Sequence, residues 1–204
     1  NAGGDRSLTV CSSDPPFSMR AQLPGAPDLG GTWTPGGSDT FTPGLSTPGV
    51  YTYVVPGTAP CANDTARLTT TVREAPVAGS NRSVEVCSDA AVFNLRDSLG
   101  GSPEAGGTWA GPLGAHSGLF QPATDPGGAY VYSVPGQAPC LAATATVTVV
   151  LRPAPDAGTS VNLVKCSNEA PFNLLSQLGG TPDAGGAWTG PGGSPFPSGT
   201  FTPG

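Results

Sequence analysis

Five cysteines, one histidine and a recurring acidic position are the residues of this 204-residue chain best placed to do chemistry. A thiol can ligate a metal, attack a substrate or form a cross-link. Metal sites draw cysteines and histidines together at short spacings such as Cys-x-x-Cys. Here Cys11, Cys61, Cys87, Cys140 and Cys166 lie far apart, and none falls in such a pattern. A nucleophile needs a base nearby. The one histidine, His116, sits in the loop GPLGAHSGLF with no Ser/His/Asp set around it, and is expected to be exposed and idle. No glycine loop of the kind that cradles phosphate ahead of a helix is found. The recurring acids are Asp28, Glu104 and Asp183. Calcium needs six to eight oxygens from several ligands. A single carboxylate after a proline is more simply a turn former. The sequence therefore predicts no catalytic residue, no metal site and no cofactor, and leaves the cysteines to cross-linking.

The cysteines belong to a repeat. Counted from Cys11, Cys87 and Cys166, a phenylalanine follows at the same offset in each copy (Phe17, Phe93, Phe172). A leucine comes next (Leu23, Leu99, Leu178), then the acid, then a tryptophan (Trp33, Trp109, Trp188). The copies read PDLGGTW, PEAGGTW and PDAGGAW. Beyond the tryptophan the spacing to Phe41, Phe120 and Phe201 varies, which marks a surface loop that absorbs insertions. Register then returns. Tyr51, Tyr53 and Cys61 follow Phe41 as Tyr130, Tyr132 and Cys140 follow Phe120. Fixed-period self-similarity of this kind is the signature of a tandem array. The repeats are read as residues 1–75, 76–154 and 155–204, each complete copy about 77 residues long, with the third ending at FTPG before its second half.

Each copy reads as short strands punctuated by turns. SLTVC, SVEVC and NLVKC open the copies. GVYTYVVPG and GAYVYSVPG place Tyr51, Tyr53 and Val55, or Tyr130, Tyr132 and Val134, on one parity of a strand. ARLTTTVRE and ATVTVVLR have the Thr and Val content that pleated, half-buried strands favour. Pro-Gly pairs supply turns. One or two turns of helix are expected at FSMRAQL, FNLRDSL and FNLLSQL. The fold class is all-β: tandem β-sandwich modules, each with one intramodule disulfide. Four cysteines allow three pairings, and only the within-repeat pairing, Cys11–Cys61 and Cys87–Cys140, repeats identically. Cys166 is expected to find its partner outside the chain, about 55 residues further on. The core is assigned to Trp33, Trp109, Trp188, Phe17, Phe93, Phe172, Tyr51, Tyr53, Tyr130 and Tyr132. The linkers REAPVAG and RPAPDAG are short and proline-containing, and predict semi-rigid spacing.

Composition narrows the surroundings. A net charge of −6 and a pI near 4.4 argue against nucleic acid and anionic membrane surfaces. No apolar run is long enough to span a bilayer as a helix. Glycine and proline make up 55 of 204 residues, 31 and 24 respectively, but with a period rather than as low complexity. The opening at Asn1 without Met reads as a processed or internal start. Disulfides place the chain in an oxidising, extracellular setting: secreted or at a cell surface.

The pattern C-x5-F-x5-L, then GG-x-W, then G-x-Y-x-Y-x-V-x-G-x-x-P-C and a Thr/Val strand resembles the tandem Ig-like repeats of large secreted bacterial surface proteins, of the PKD and adhesin-stalk type. The resemblance implies a non-enzymatic spacer, stalk or fibre whose partners are neighbouring copies or repeats of the same protein, end to end. It carries over no catalytic residues. A departure from true Ig domains is that Tyr53 precedes Cys61 by eight residues rather than two, which puts the disulfide at a strand end. An adhesin that binds a glycan or a surface ligand is the alternative. The tryptophans could stack on sugars if exposed, but their fixed apolar companions assign them to the core. Asn63-Asp64-Thr65 and Asn81-Arg82-Ser83 fit the N-glycosylation sequon. The third repeat could be completed by the same chain or by strands of another subunit.

Overall fold

The computed structural model describes residues 1–196 and 198–204. Its described secondary structure is strands and single 3-10 turns. The chain separates into two compact units, Asn1–Val86 with Ala90–Leu151, and Cys87–Asp89 with Arg152–Gly204. The first unit contains two sandwiches in series.

The first sandwich is built from β1 (Arg6–Cys11), β2 (Phe17–Ser18), β3 (Thr32–Thr34), β4 (Thr40–Phe41), β5 (Gly49–Val55) and β6 (Asp64–Arg73). Its main sheet has the order β1-β6-β5-β3, with β1 parallel to β6 and the other pairs antiparallel. The pair β2–β4 forms the opposite layer. Between them lie Val10, Met19, Leu23, Trp33, Phe41, Tyr53, Ala66 and Leu68. The period of two works as expected: Tyr53 on β5 and Ala66 and Leu68 on β6 are buried, while Val50 is exposed.

The second sandwich repeats this plan with β7 (Arg82–Cys87), β8 (Phe93–Asn94), β9 (Thr108–Gly111), β10 (Gly114–His116), β11 (Leu119–Phe120), β12 (Gly128–Val134) and β13 (Ala143–Arg152). The main sheet runs β10-β9-β12-β13-β7, and β8–β11 is the small layer. The extra residues between Trp109 and Phe120 form β10, a hairpin partner of β9. The variable loop thus adds an edge strand and leaves the core register untouched. Tyr130, Tyr132, Val134, Ala145, Val147 and Val149 are all buried. The all-β sandwich class expected from the sequence is the class observed.

The expected helical segment is a single 3-10 turn in each copy: Arg20–Gln22, Leu95–Ser98 and Leu175–Gln177. The residue after each phenylalanine tethers it. Ser18 Oγ accepts from the Ala21 amide, Asn94 Oδ1 from Arg96 and Asn173 Oδ1 from Leu175. Such side-chain acceptors satisfy the first amides of a helical turn.

In the second unit, β14 (Phe172–Asn173) pairs with β15 (Thr200–Phe201), so the Phe–Phe layer of the first two repeats recurs. NLVKC, expected to be a strand, is irregular. Its counterparts β1 and β7 hydrogen-bond to β6 and β13. Among the described residues of 155–204 there is no long Thr/Val strand like β6 or β13, and the segment joins no ladder.

The disulfide expectation needs correction. The structure contains Cys11–Cys140, with Cα atoms 4.9 Å apart and a sequence separation of 129. Cys61, Cys87 and Cys166 are free thiols. Strand direction is the reason. Cys11 lies opposite Arg73, the last residue of β6, whereas Cys61 precedes Asp64, the first. Ten residues of strand put these ends about 30 Å apart, and a disulfide tolerates a Cα separation of only about 7 Å. In the second repeat the Ser88 amide bonds the Arg152 carbonyl at the end of β13, while Cys140 precedes its start at Ala143. The two cysteines of one repeat therefore sit at opposite ends of its last strand.

Candidate functional site: a disulfide between successive repeats

The tandem reading concentrates the chemistry of this chain in one bond, Cys11–Cys140, and the local backbone explains how each sulfur is presented. At the end of β1, the Ser12 amide donates to the Arg73 carbonyl at 2.8 Å, and Ser12 Oγ accepts from the Ala75 amide at 2.9 Å. The Asp14 carboxylate turns back to accept from the Cys11 amide at 2.8 Å. These bonds lock the strand end against the start of the linker. On the other side, Cys140 closes the tight turn Gln137–Cys140, its amide donating to the Gln137 carbonyl at 2.9 Å. Its Sγ also lies 3.4 Å from the Arg73 carbonyl oxygen. Both sulfur-bearing residues are buried. A polar cleft of about 380 Å³ flanks the junction, with Arg73, Glu74, Glu104 and Gln137 among its walls.

The remaining expected core residues divide by repeat. Trp33 stacks on Tyr53 with ring centroids 5.0 Å apart, and Trp109 on Tyr132 at 4.9 Å; both tryptophans are buried. Each pair is a cross-strand neighbour in the sheet register, an arrangement worth about 0.5–1.5 kcal/mol beyond area burial. Phe17 packs on Phe41 and Phe93 on Phe120, both at 5.4 Å. Tyr51 and Tyr130 meet Phe41 and Phe120 edge-on. Phe172 pairs with Phe201 at 5.7 Å, but Phe201 is 43% exposed. Trp188 is half-buried and lines a cavity of about 180 Å³ with Leu175 and Leu178. It is the only tryptophan of the three that is not buried.

The recurring acids serve the backbone. The amides of Asp28, Glu104 and Asp183 donate to the carbonyls of Asn1, Val77 and Asp156, which fastens each acid loop to the start of its repeat. The Tyr53 hydroxyl donates to the Asp28 carbonyl and accepts from the Gly31 amide, and Tyr132 does the same for Glu104 and Gly107. This accounts for the GG-x-W motif. A Cβ on Gly31 or Gly107 would fall 2.5 Å from the tyrosine ring. Among the described residues no three His, Cys, Asp or Glu side chains cluster as metal ligands would.

His116 is neither exposed nor idle. Its Nε2 faces Asp125 Oδ2 at 3.3 Å, its Nδ1 accepts from the Gly118 amide, and its ring meets Tyr130 edge-on. It is a structural residue of the variable loop. Asp125 also accepts from the Gln121 amide. Burial, and secondarily the charge of Asp125, raise the Tyr130 hydroxyl above its ordinary pKa. In the second unit, the Cys166 amide, then Lys165, hold the Glu169 carboxyl below its usual range. Both sequons use their asparagine internally: Asn63 Oδ1 accepts from Gly57 and Asn81 Oδ1 from Thr146.

Sequence reasoning missed Ser12 and Ser88, which follow the first cysteine of each complete repeat, and Asp39, which accepts from Trp33 Nε1 at 2.9 Å. The serine was discoverable, since Ser12, Ser88 and Ser167 all follow a first cysteine. Asp39 was not, because the matching position of the second repeat is Gly118, where a Cβ would strike Trp109. No described helix is long and apolar enough to cross a membrane.

No protein-family model matches the chain, and no curated protein matches its sequence. Among solved structures, an I-band fragment of titin aligns with a TM-score of 0.43 at 14% identity, over 74% of this chain and 64% of that one. The N-terminal four Ig domains of Dscam1 isoform 4.4 align with a TM-score of 0.31 at 14% identity, over 74% of this chain and 44% of that one. The chain spans less than two thirds of the length of either.

Proposed function

We propose that this chain is a non-enzymatic structural segment of an extracellular stalk or fibre made of tandem sandwich repeats. The observation that carries the reading is the disulfide between the first strand of one repeat and the last turn of the next. A bond in that place adds little to either core. It ties neighbouring modules together, which suits a part that transmits tension or keeps its spacing outside the cell. Closing a loop of 129 residues stabilises the linked pair by about 5 kcal/mol in the chain-entropy model. Such bonds persist where the surroundings are oxidising, which supports a secreted or cell-surface location. The partners in this reading are neighbouring repeats of the same protein, end to end. Imaging of the native material with an antibody to the first repeat tests it. Label along filaments or stalks outside the cell is expected, and label confined to the cell interior overturns the reading.

A second reading, an adhesin module, draws on one observation: the half-buried Trp188 beside its cavity. Burial of Trp33 and Trp109 leaves that residue as the one candidate platform for a sugar. A glycan array followed by titration with tryptophan fluorescence decides. Binding that Trp188→Ala abolishes supports the adhesin, and no binding across the array removes it.

A further inference from the structure

Two of the three free thiols, Cys87 and Cys61, are placed as Cys11 and Cys140 are, and Cys166 holds the matching position of the third repeat in the sequence. At the end of β7, the Ser88 amide donates to the Arg152 carbonyl at 2.8 Å, and Ser88 Oγ accepts from the Ala154 amide at 2.8 Å. These are the bonds that Ser12 makes with Arg73 and Ala75 beside the bonded Cys11. Cys87 thus stands on a strand end locked in the same way as that of Cys11. At the other end of a repeat, the Cys61 amide donates to the Thr58 carbonyl at 2.9 Å, as Cys140 does to Gln137. Both turns close onto a glycine: a Cβ on Gly57 or Gly136 would strike the carbonyl oxygens of the cysteine and its successor. Cys61 is therefore the copy of Cys140, presented exposed and without a partner sulfur. Opposite ends of the last strand, about 30 Å apart, forbid a bond within a repeat.

We propose that Cys11–Cys140 is one rung of a next-neighbour series, in which the first cysteine of every repeat bonds the Ala-Pro-Cys turn of the repeat that follows it. Cys87 is the attachment point for the Ala-Pro-Cys turn of a completed third repeat, and Cys166 for that of a fourth. Cys61 is the attachment point for the strand-end cysteine of a repeat preceding the first. The occupant of each site is another copy of this same repeat. Each rung forms by two thiol–disulfide exchanges with a small-molecule disulfide. One protein thiolate displaces a small thiolate to give a mixed disulfide, and the second protein thiolate displaces the other. The two cysteines lose two electrons and two protons, and the small disulfide becomes two thiols. The series rests on the tandem-repeat reading, but a different pattern at Cys61, Cys87 and Cys166 would remove it and leave the Cys11–Cys140 bond that carries the stalk reading.

The test is a disulfide map in a glutathione redox buffer. The present chain should give Cys11–Cys140 and three alkylatable thiols. Residues 201–204 repeat residues 41–44, so residues 45–75 can be appended after Gly204 to complete the third repeat in register. The extended chain should join Cys87 to the added cysteine and leave two thiols, Cys61 and Cys166. A bond between Cys166 and the added cysteine, or a free Cys87 in that chain, overturns the proposal. Cys140→Ser in the present chain needs no new segment to fold. There Cys11 should be recovered free or joined to glutathione, and a Cys11–Cys61 bond overturns the series.

Discussion

The tyrosine hydroxyls of the two complete repeats each hold a loop at two points, and the glycine beneath them is the residue that permits it. Tyr132 donates to the Glu104 carbonyl at 2.6 Å and accepts from the Gly107 amide at 2.9 Å. Losing both leaves backbone groups short of partners, at about 1–3 kcal/mol for each buried group. Tyr132→Phe is therefore expected to destabilise the second sandwich by about 2 kcal/mol. Gly107→Ala should do as much by overpacking, since its Cβ would also lie 2.6 Å from the Ser133 carbonyl. Chemical denaturation of each variant measures both. In the third repeat nothing lies within 4 Å of a Cβ on Gly186, so Gly186→Ala should be silent in the same assay. Tyr130 supplies a pH dependence. Its raised pKa means the folded state holds the proton more tightly than the unfolded chain. The stability it contributes is fully present below the ordinary tyrosine value of about 10 and is lost as pH rises through the folded value. Melts between pH 8 and 11 should show this fall, and Tyr130→Phe should flatten it. That variant also loses the bond to the Pro126 carbonyl, which costs about 1 kcal/mol at neutral pH.

At the scale of elements, what was legible depended on whether the signal was local. The parity of Tyr51 and Tyr53, and of Tyr130 and Tyr132, located β5 and β12, because alternate side chains of a strand must meet one core. The Thr/Val runs located β6 and β13 for the same reason. The tryptophan strands β3 and β9 are only three and four residues long, too short for a period to show. NLVKC was misread because its sequence is strand-like, while a ladder also needs a partner strand like β6 or β13, which a five-residue pattern cannot show. The cysteine pairing was illegible for a related reason. Repetition fixes which positions are equivalent, but the end of the strand at which each cysteine emerges depends on β1 lying parallel to β6. The expected pairing joined cysteines within a repeat, where the structure joins Cys11 of one repeat to Cys140 of the next. The role of ladder partners is testable. In the chain extended by residues 45–75, Leu163, Val164 and Lys165 should gain hydrogen-exchange protection by pairing as β1 and β7 pair in their repeats. Unchanged fast exchange there would mean that the segment is irregular for a reason of its own.

For the molecule as a whole, the placement of one covalent bond decides how the chain answers force. A pull applied at the two termini enters the backbone at Cys11 and leaves at Cys140 through the sulfurs. The intervening residues, which include β3, β5 and β6 of the first sandwich and β9 and β12 of the second, carry no load while the bond is intact. A within-repeat bond would have shielded each module separately and left the linker REAPVAG under tension. The observed bond instead shields that linker too. In single-molecule stretching, the oxidised chain should fall short of the reduced chain's full contour length by the sequence separation of 129 between the two cysteines. At roughly 3.5 Å per extended residue, that is about 450 Å. Reductant added during the pull should release this length, with unfolding events from both sandwiches. Cys140→Ser should show the full length without reductant. Equal contour lengths in the oxidised and reduced chains would mean that the bond does not bear the load, and the mechanical role would fall with it.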